Sequence, residues 1–140
     1  MGDKLVLNYI VDGGDLTRAG EASSEMKMTL RKLGLSPEVI RRASICMYEG
    51  EINMVIHADG GTVTVEIGLD EIDLTLTDTG PGIPDVDKAM EEGYSTAGEI
   101  ARDLGFGAGM GLPNMKRYAD EMTVDSTVGV GTTVRMKIRI

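Results

Sequence analysis

The chain has one cysteine, no apolar run approaching the length of a membrane span, and far fewer basic than acidic side chains. A single thiol cannot form a disulfide or a zinc framework within one chain. Cys46, set among apolar residues of a predicted helix, reads as a small buried hydrophobe. A spanning helix needs roughly 18 consecutive apolar residues, and none occur. The start Met1-Gly2-Asp3-Lys4 lacks the charged-then-apolar pattern of a secretory leader. These absences predict a soluble, cytoplasmic protein without a membrane partner. With 14 Lys and Arg against 23 Asp and Glu, the formal charge is −9. Phosphate neutralisation along a nucleic acid requires clustered cations, so no nucleic-acid partner is expected. The acidity does not exclude one nucleotide, because local N–H groups and a divalent cation can hold it within an acidic protein. A P-loop is excluded, since no Gly-Lys pair occurs anywhere. There is no internal repeat and no low-complexity segment.

What is present suffices for one core. At 140 residues and 41% hydrophobic, residues 1–140 are expected to form one domain and are too few for two ordinary ones. Leu5 to Ile10 reads as a strand ending at Asp12-Gly13-Gly14, with Asp15 placed to cap the next helix. Ala19, Ala22, Met26 and Leu30 recur at helical spacing up to Gly34. Ser36 as N-cap and Pro37 in the first turn open a second helix that runs to about His57. Thr62–Ile67 and Ile72–Thr77 alternate as an antiparallel hairpin with one buried face. A long polar connection from Pro84 to Leu104, with a possible short helix at Val86–Glu92, has the character of a lid. Leu112, Met115, Ala119 and Met122 form a further helical stripe, and two strands, near Met122–Ser126 and Thr132–Ile140, finish the chain. The order is α+β: a mixed, mostly antiparallel sheet with helices on one face.

Three short segments carry the chemistry. Glu49 and Asn53, four residues apart, share one helix face, where a carboxylate and an amide can serve a base and a metal. Asp78-Thr79-Gly80-Pro81-Gly82-Ile83 is a glycine turn allowing close approach of a flat ring. Gly105-Phe106-Gly107-Ala108-Gly109-Met110-Gly111-Leu112 alternates glycines ahead of a helix and can turn N–H groups toward phosphates.

In this order and spacing the segments resemble the N, G1 and G2 boxes of the gyrase/Hsp90/histidine-kinase (GHKL) ATPase superfamily. Within it, the chain looks most like stand-alone anti-sigma factors and switch serine kinases of bacterial partner-switching systems. The resemblance implies a two-layer α/β sandwich, the Bergerat or histidine-kinase-like ATPase fold, with ATP and Mg²⁺ as cofactors. It implies that Glu49 is the general base and Asn53 the Mg²⁺ ligand. Asp78 would read adenine, with Gly80, Gly82 and Ile83 against the ring and Thr132 in support. Gly105, Gly107, Gly109, Met110, Gly111 and Leu112 would surround the phosphates, with Asn114 a helix-start amide in reach of them and Arg102 the nearest lid cation. Glu51 departs from the family pattern; it reads as a surface carboxylate and is left out of the site. His57 reads as a helix C-terminal histidine stabilised by the dipole. The implied activity is protein serine/threonine kinase, acting on a small anti-anti-sigma-like phosphoacceptor, with room for a sigma factor as second partner and for a homodimer. The alternative is a non-catalytic ATP-gated interaction module.

Overall fold

The computed structural model describes residues 4–13, 18–58, 60–83, 90 and 111–140. Within them the order is β1 (Leu5–Asp12), α1 (Glu21–Lys32), α2 (Pro37–His57), β2 (Gly60–Ile67), β3 (Glu71–Asp78), α3 (Gly111–Tyr118), β4 (Glu121–Thr127) and β5 (Gly131–Arg139). The five strands form one sheet in the order β1-β2-β3-β5-β4, and every pairing among them is antiparallel.

The strand alternation becomes rows across the sheet. Leu7, Val65, Leu74, Met136 and Met122 are in register, as are Tyr9, Val63, Leu76, Val134 and Val124. These side chains face the helices, and those of the three central strands are buried. The opposite face carries charges such as Lys4, Asp73, Lys137 and Glu71, paired at 3.5 Å (Lys4–Asp73) and 3.4 Å (Lys137–Glu71). Such half-exposed pairs stabilise little. The face toward the helices supplies the stability.

Ser36 and Pro37 start α2 as their chemistry requires: Ser36 Oγ accepts the Val39 N–H at 3.3 Å, and Pro37 occupies the first turn. Gly50, a poor residue in mid-helix, sits where a side chain would strike Leu76 of β3, so its absence lets α2 settle onto the sheet. At the far end Arg42 donates to Asp120 at 3.0 Å and to the Arg139 carbonyl, also at 3.0 Å. Asp120 also accepts the Arg139 N–H at 2.7 Å, so one carboxylate joins α2 to the last strand. No helix of the described residues is long and apolar enough to cross a membrane.

Two expectations are corrected, and one falls outside the described residues. The first concerns Glu51, which is 2% exposed rather than on the surface. It accepts N–H bonds from Gly20 at 2.9 Å, Ala22 at 3.2 Å and Ser23 at 3.0 Å, and a bond from Ser23 Oγ. Helix N-termini leave orphan N–H groups, and the N-cap of α1 is Gly20, which has no side chain to serve them. A carboxylate from α2 supplies what the local sequence cannot. The second, Asp15, lies outside the described residues; α1 begins at Glu21, and Glu51 serves N–H groups at its start. The third is Met122. Helix α3 ends at Tyr118, and Met122 lies on β4 and pairs with Met136 of β5, its apolar spacing serving a strand rather than a fourth helical turn. The predicted helix at Val86–Glu92 lies outside the described residues apart from Met90, which packs on the core.

Candidate functional site

Beyond the apolar rows the inner face of the sheet turns polar. Asp78 at the end of β3 is in register with Thr132 on β5, and Thr132 with Ser126 on β4. Asp78 Oδ1 accepts the Gly80 N–H at 2.9 Å and the Thr132 N–H at 3.3 Å. Among the described residues its second oxygen has no partner, which leaves an acceptor for an outside donor. Ser126 Oγ lies 2.8 Å from Thr132 Oγ1 and accepts the Ile83 N–H at 2.7 Å, fastening the glycine turn to the neighbouring strands.

The turn is pressed against the end of α2. A side chain on Gly80 would come within 2.5 Å of Ala58 Cβ, and Gly82 adopts φ 80°, a conformation that costs glycine nothing. A cavity of about 250 Å³ opens here, lined by Val55, Ile56, His57, Ala58, Gly60, Thr79, Gly80 and Pro81. His57 is the last residue of α2, and burial pushes its imidazole below the ordinary value.

On its other side the site is built from two helices. Helix α3 runs antiparallel along α2, meeting it at successive points. Gly111 stands against Asn53, Asn114 Nδ2 donates to Glu49 Oε1 at 3.3 Å, the Cys46 thiol donates to the Met115 carbonyl at 3.7 Å, and Arg41 lies 5.3 Å above the Tyr118 ring. Burial pushes the Cys46 thiol up to about 12, as its inert, packed role requires. Leu112 is buried and anchors the first turn of α3 in the core.

Glu49 and Asn53 are half-buried on one face of α2. Burial raises the Glu49 carboxyl above its ordinary value, and the Asn114 hydrogen bond offsets part of that rise. A carboxylate with a raised affinity for protons, on a rigid helix, suits acid–base work. Asn53 offers an amide oxygen, the ligand type that a hard cation takes. Gly111 keeps the space beside it open, because a Cβ there would lie 2.9 Å from both amide atoms of Asn53.

Residues 40–140 match the family described as histidine kinase-, DNA gyrase B-, and HSP90-like ATPase. The chain belongs to this ATPase family. It is 33% identical over 109 residues to the serine/threonine-protein kinase RsbT of Bacillus subtilis, covering 75% of this chain and 76% of that protein. It is 37% identical over 109 residues to the anti-sigma F factor of Caldanaerobacter subterraneus, covering 73% of each. It spans 64% of the anti-sigma F factor of Geobacillus kaustophilus, at 34% identity and 74% of this chain. Among solved structures, the SiaB-SiaC complex from Pseudomonas aeruginosa matches with TM-score 0.63 at 13% identity, over 96% of this chain and 89% of that one. The RsbU and RsbW domains of Rv1364c from Mycobacterium tuberculosis match with TM-score 0.63 at 15% identity, over 96% of this chain and 32% of that one. At these identities the structures show the fold alone, the α+β sandwich with helices on one face of the sheet.

Of the residues singled out in the sequence, the fold brings Glu49, Asn53, Gly111 and Leu112 together at the helix pair, and Asp78, Gly80, Gly82, Ile83 and Thr132 at the polar end of the sheet. Gly105, Gly107, Gly109, Met110 and Arg102 lie outside the described residues. One participant, Ser126, and one contact, that of Asn114 with Glu49, were missed. Ser126 was legible in principle, since a hairpin turning at Val128–Val130 sets it opposite Thr132. The bond from Asn114 to Glu49 was not, because nothing local says which face of α3 meets α2.

Proposed function

We propose that the chain is a protein serine/threonine kinase that uses Mg-ATP to phosphorylate a hydroxyl on a small regulatory protein, in a system of the partner-switching type. The observation that carries this reading is the pairing of a half-buried, proton-attracting Glu49 with Asn53 one turn along the same face, closed over by the first turn of α3. The names of the relatives, a serine/threonine-protein kinase and anti-sigma factors, support the substrate class and a sigma factor as further partner.

The residues present fit the nucleotide and its cation. Among the described residues one Asp78 oxygen has no partner, and it could accept from the exocyclic amine of adenine, which guanine lacks at that position. Gly80, Gly82, Ile83 and Thr132 would flank the base, and Asn53 would hold Mg²⁺, which needs few protein ligands because it keeps water and phosphate oxygens. When bound, Mg-ATP supplies the phosphoryl group and the cationic charge that favours its transfer. Glu49 orients the serine or threonine hydroxyl of the partner and accepts its proton as the oxygen attacks. The helix pair holds that carboxylate in place, and phosphoryl transfer depends mainly on such positioning.

The test is transfer from γ-labelled ATP to candidate partner proteins, with mass spectrometry to locate the modified residue. Glu49→Ala is expected to keep nucleotide affinity and lose transfer by about 10²-fold or more, whereas Asn53→Ala weakens Mg-ATP binding. Undiminished transfer by Glu49→Ala would remove the base assignment. Nucleotide binding with no transfer to any partner would leave a nucleotide-gated interaction module in place of a kinase.

A further inference from the structure

We infer that Asn114 is a positioning residue for Glu49, its side-chain amide holding one carboxylate oxygen so that the other faces the substrate hydroxyl. The inference rests on the reading of Glu49 as the base and assigns Asn114 a task different from the phosphate contact suggested by its place after the glycine loop.

The geometry fixes the chemistry of the contact. Asn114 Nδ2 lies 3.3 Å from Glu49 Oε1, and both side chains are half-buried. An ionised carboxylate only accepts, so the amide must present its N–H₂ group rather than its oxygen. Among the described residues Glu49 Oε2 has no hydrogen bond, so the carboxylate is held at one oxygen and available at the other.

The rotation of α3 about its axis is fixed independently of this bond. The Met115 carbonyl accepts the Cys46 thiol and the Tyr118 ring sits under Arg41, one turn and two turns earlier on α2. With Gly111 packed on Asn53 at the start, α3 is registered at three points on either side of Asn114. Asn114 is therefore delivered to Glu49 by packing and does not have to find it. Preorganisation of this kind separates a carboxylate able to act as a base from one that wanders over several rotamers. It also makes α3, the helix that opens at the last glycine of the loop, part of the machinery of the base.

The experiment compares Asn114→Asp, which keeps the shape and removes the donor, with Asn114→Leu, in the full chain. Both are expected to lower kcat about tenfold or more, the scale of one lost charge-assisted hydrogen bond, with KM for ATP and Mg-ATP affinity unchanged within about twofold. In a Glu49→Gln background Asn114→Asp should add no further loss, since it acts only through the carboxylate. A raised KM with kcat preserved, or full additivity in the double variant, would overturn the proposal in favour of a phosphate contact. A second readout is independent of activity. In the nucleotide-free, ¹⁵N-labelled chain, the Asn114 side-chain amide resonances should move in Glu49→Ala and stay in place in Glu38→Ala, a control on the exposed start of the same helix. If they do not move in Glu49→Ala, the contact is absent and the proposal fails even if Glu49 is the base. If they move but the wild-type chain transfers no phosphate to any partner, the positioning contact stands and the kinase reading fails.

Discussion

Gly111, the first residue of α3, stands so close to Asn53 of α2 that a Cβ would lie 2.9 Å from both its amide nitrogen and its amide oxygen. Real side chains are not found at that separation, so any substitution must move Asn53 or back α3 away from it. Gly111→Ala is therefore expected to weaken Mg-nucleotide binding about tenfold while leaving the fold intact, as an alanine is readily accepted in a helix. Calorimetric titration with and without Mg²⁺ reads it. Equal affinity for Gly111→Ala and the parent chain would show that Asn53 does not need this space.

Glu51 contributes to stability rather than chemistry. It ties the start of α1 to α2 through three N–H groups and the Ser23 hydroxyl while almost fully buried. Glu51→Gln replaces one acceptor oxygen with a donor that faces other donors, so about 2–4 kcal/mol of stability should be lost. Urea unfolding gives the total, and hydrogen exchange at Gly20, Ala22 and Ser23 locates it. An unchanged unfolding midpoint would contradict the cap.

The proposed phosphoryl transfer should take its pH dependence from the surroundings of Glu49. Burial raises its carboxyl above the ordinary value, and a base works only when deprotonated. Activity should therefore rise with pH through a midpoint above about 4.3, the value of a solvated glutamate. A rate profile of the parent chain tests this, taken across the range in which the fold is intact. An acid limb at or below the solvated value would mean that a different group limits the rate.

Asp120 has the opposite sign. The backbone N–H of Arg139 and the Arg42 guanidinium hold its carboxyl below the ordinary value of 3.8. A group whose folded pKa is depressed contributes stability that is fully present above its unfolded value and is lost as the pH falls through the folded one. The stability difference between the parent chain and Asp120→Asn should thus be constant from neutral pH down to about 5 and shrink below about 4. Denaturant midpoints at a series of pH values decide it, and a difference that persists at the acid end would point to shape rather than charge.

Much of this protein was legible in its sequence because the signals are local. Alternation in Thr62–Ile67 and Ile72–Thr77 set a hairpin and its buried face, Ser36-Pro37 set the start of α2, and the Asp78 turn and the Glu49/Asn53 spacing picked out the candidate site through a family pattern. Each depends on residues a few positions apart, whose geometry the backbone period dictates. What the tertiary structure alone decided are the contacts between elements distant in the chain. Glu51 looked like a surface charge because its helix reads the same whether that face meets water or α1, and only docking placed four donors, 28 to 31 residues away, around it. Met122 fits a helical stripe by spacing and a strand by pairing, and the partner Met136 settled the matter. The bond from Asn114 to Glu49 spans 65 residues and depends on the angle at which one helix rolls along another. That angle is set by the summed packing of Gly111, Met115 and Tyr118, which no single stretch of sequence encodes.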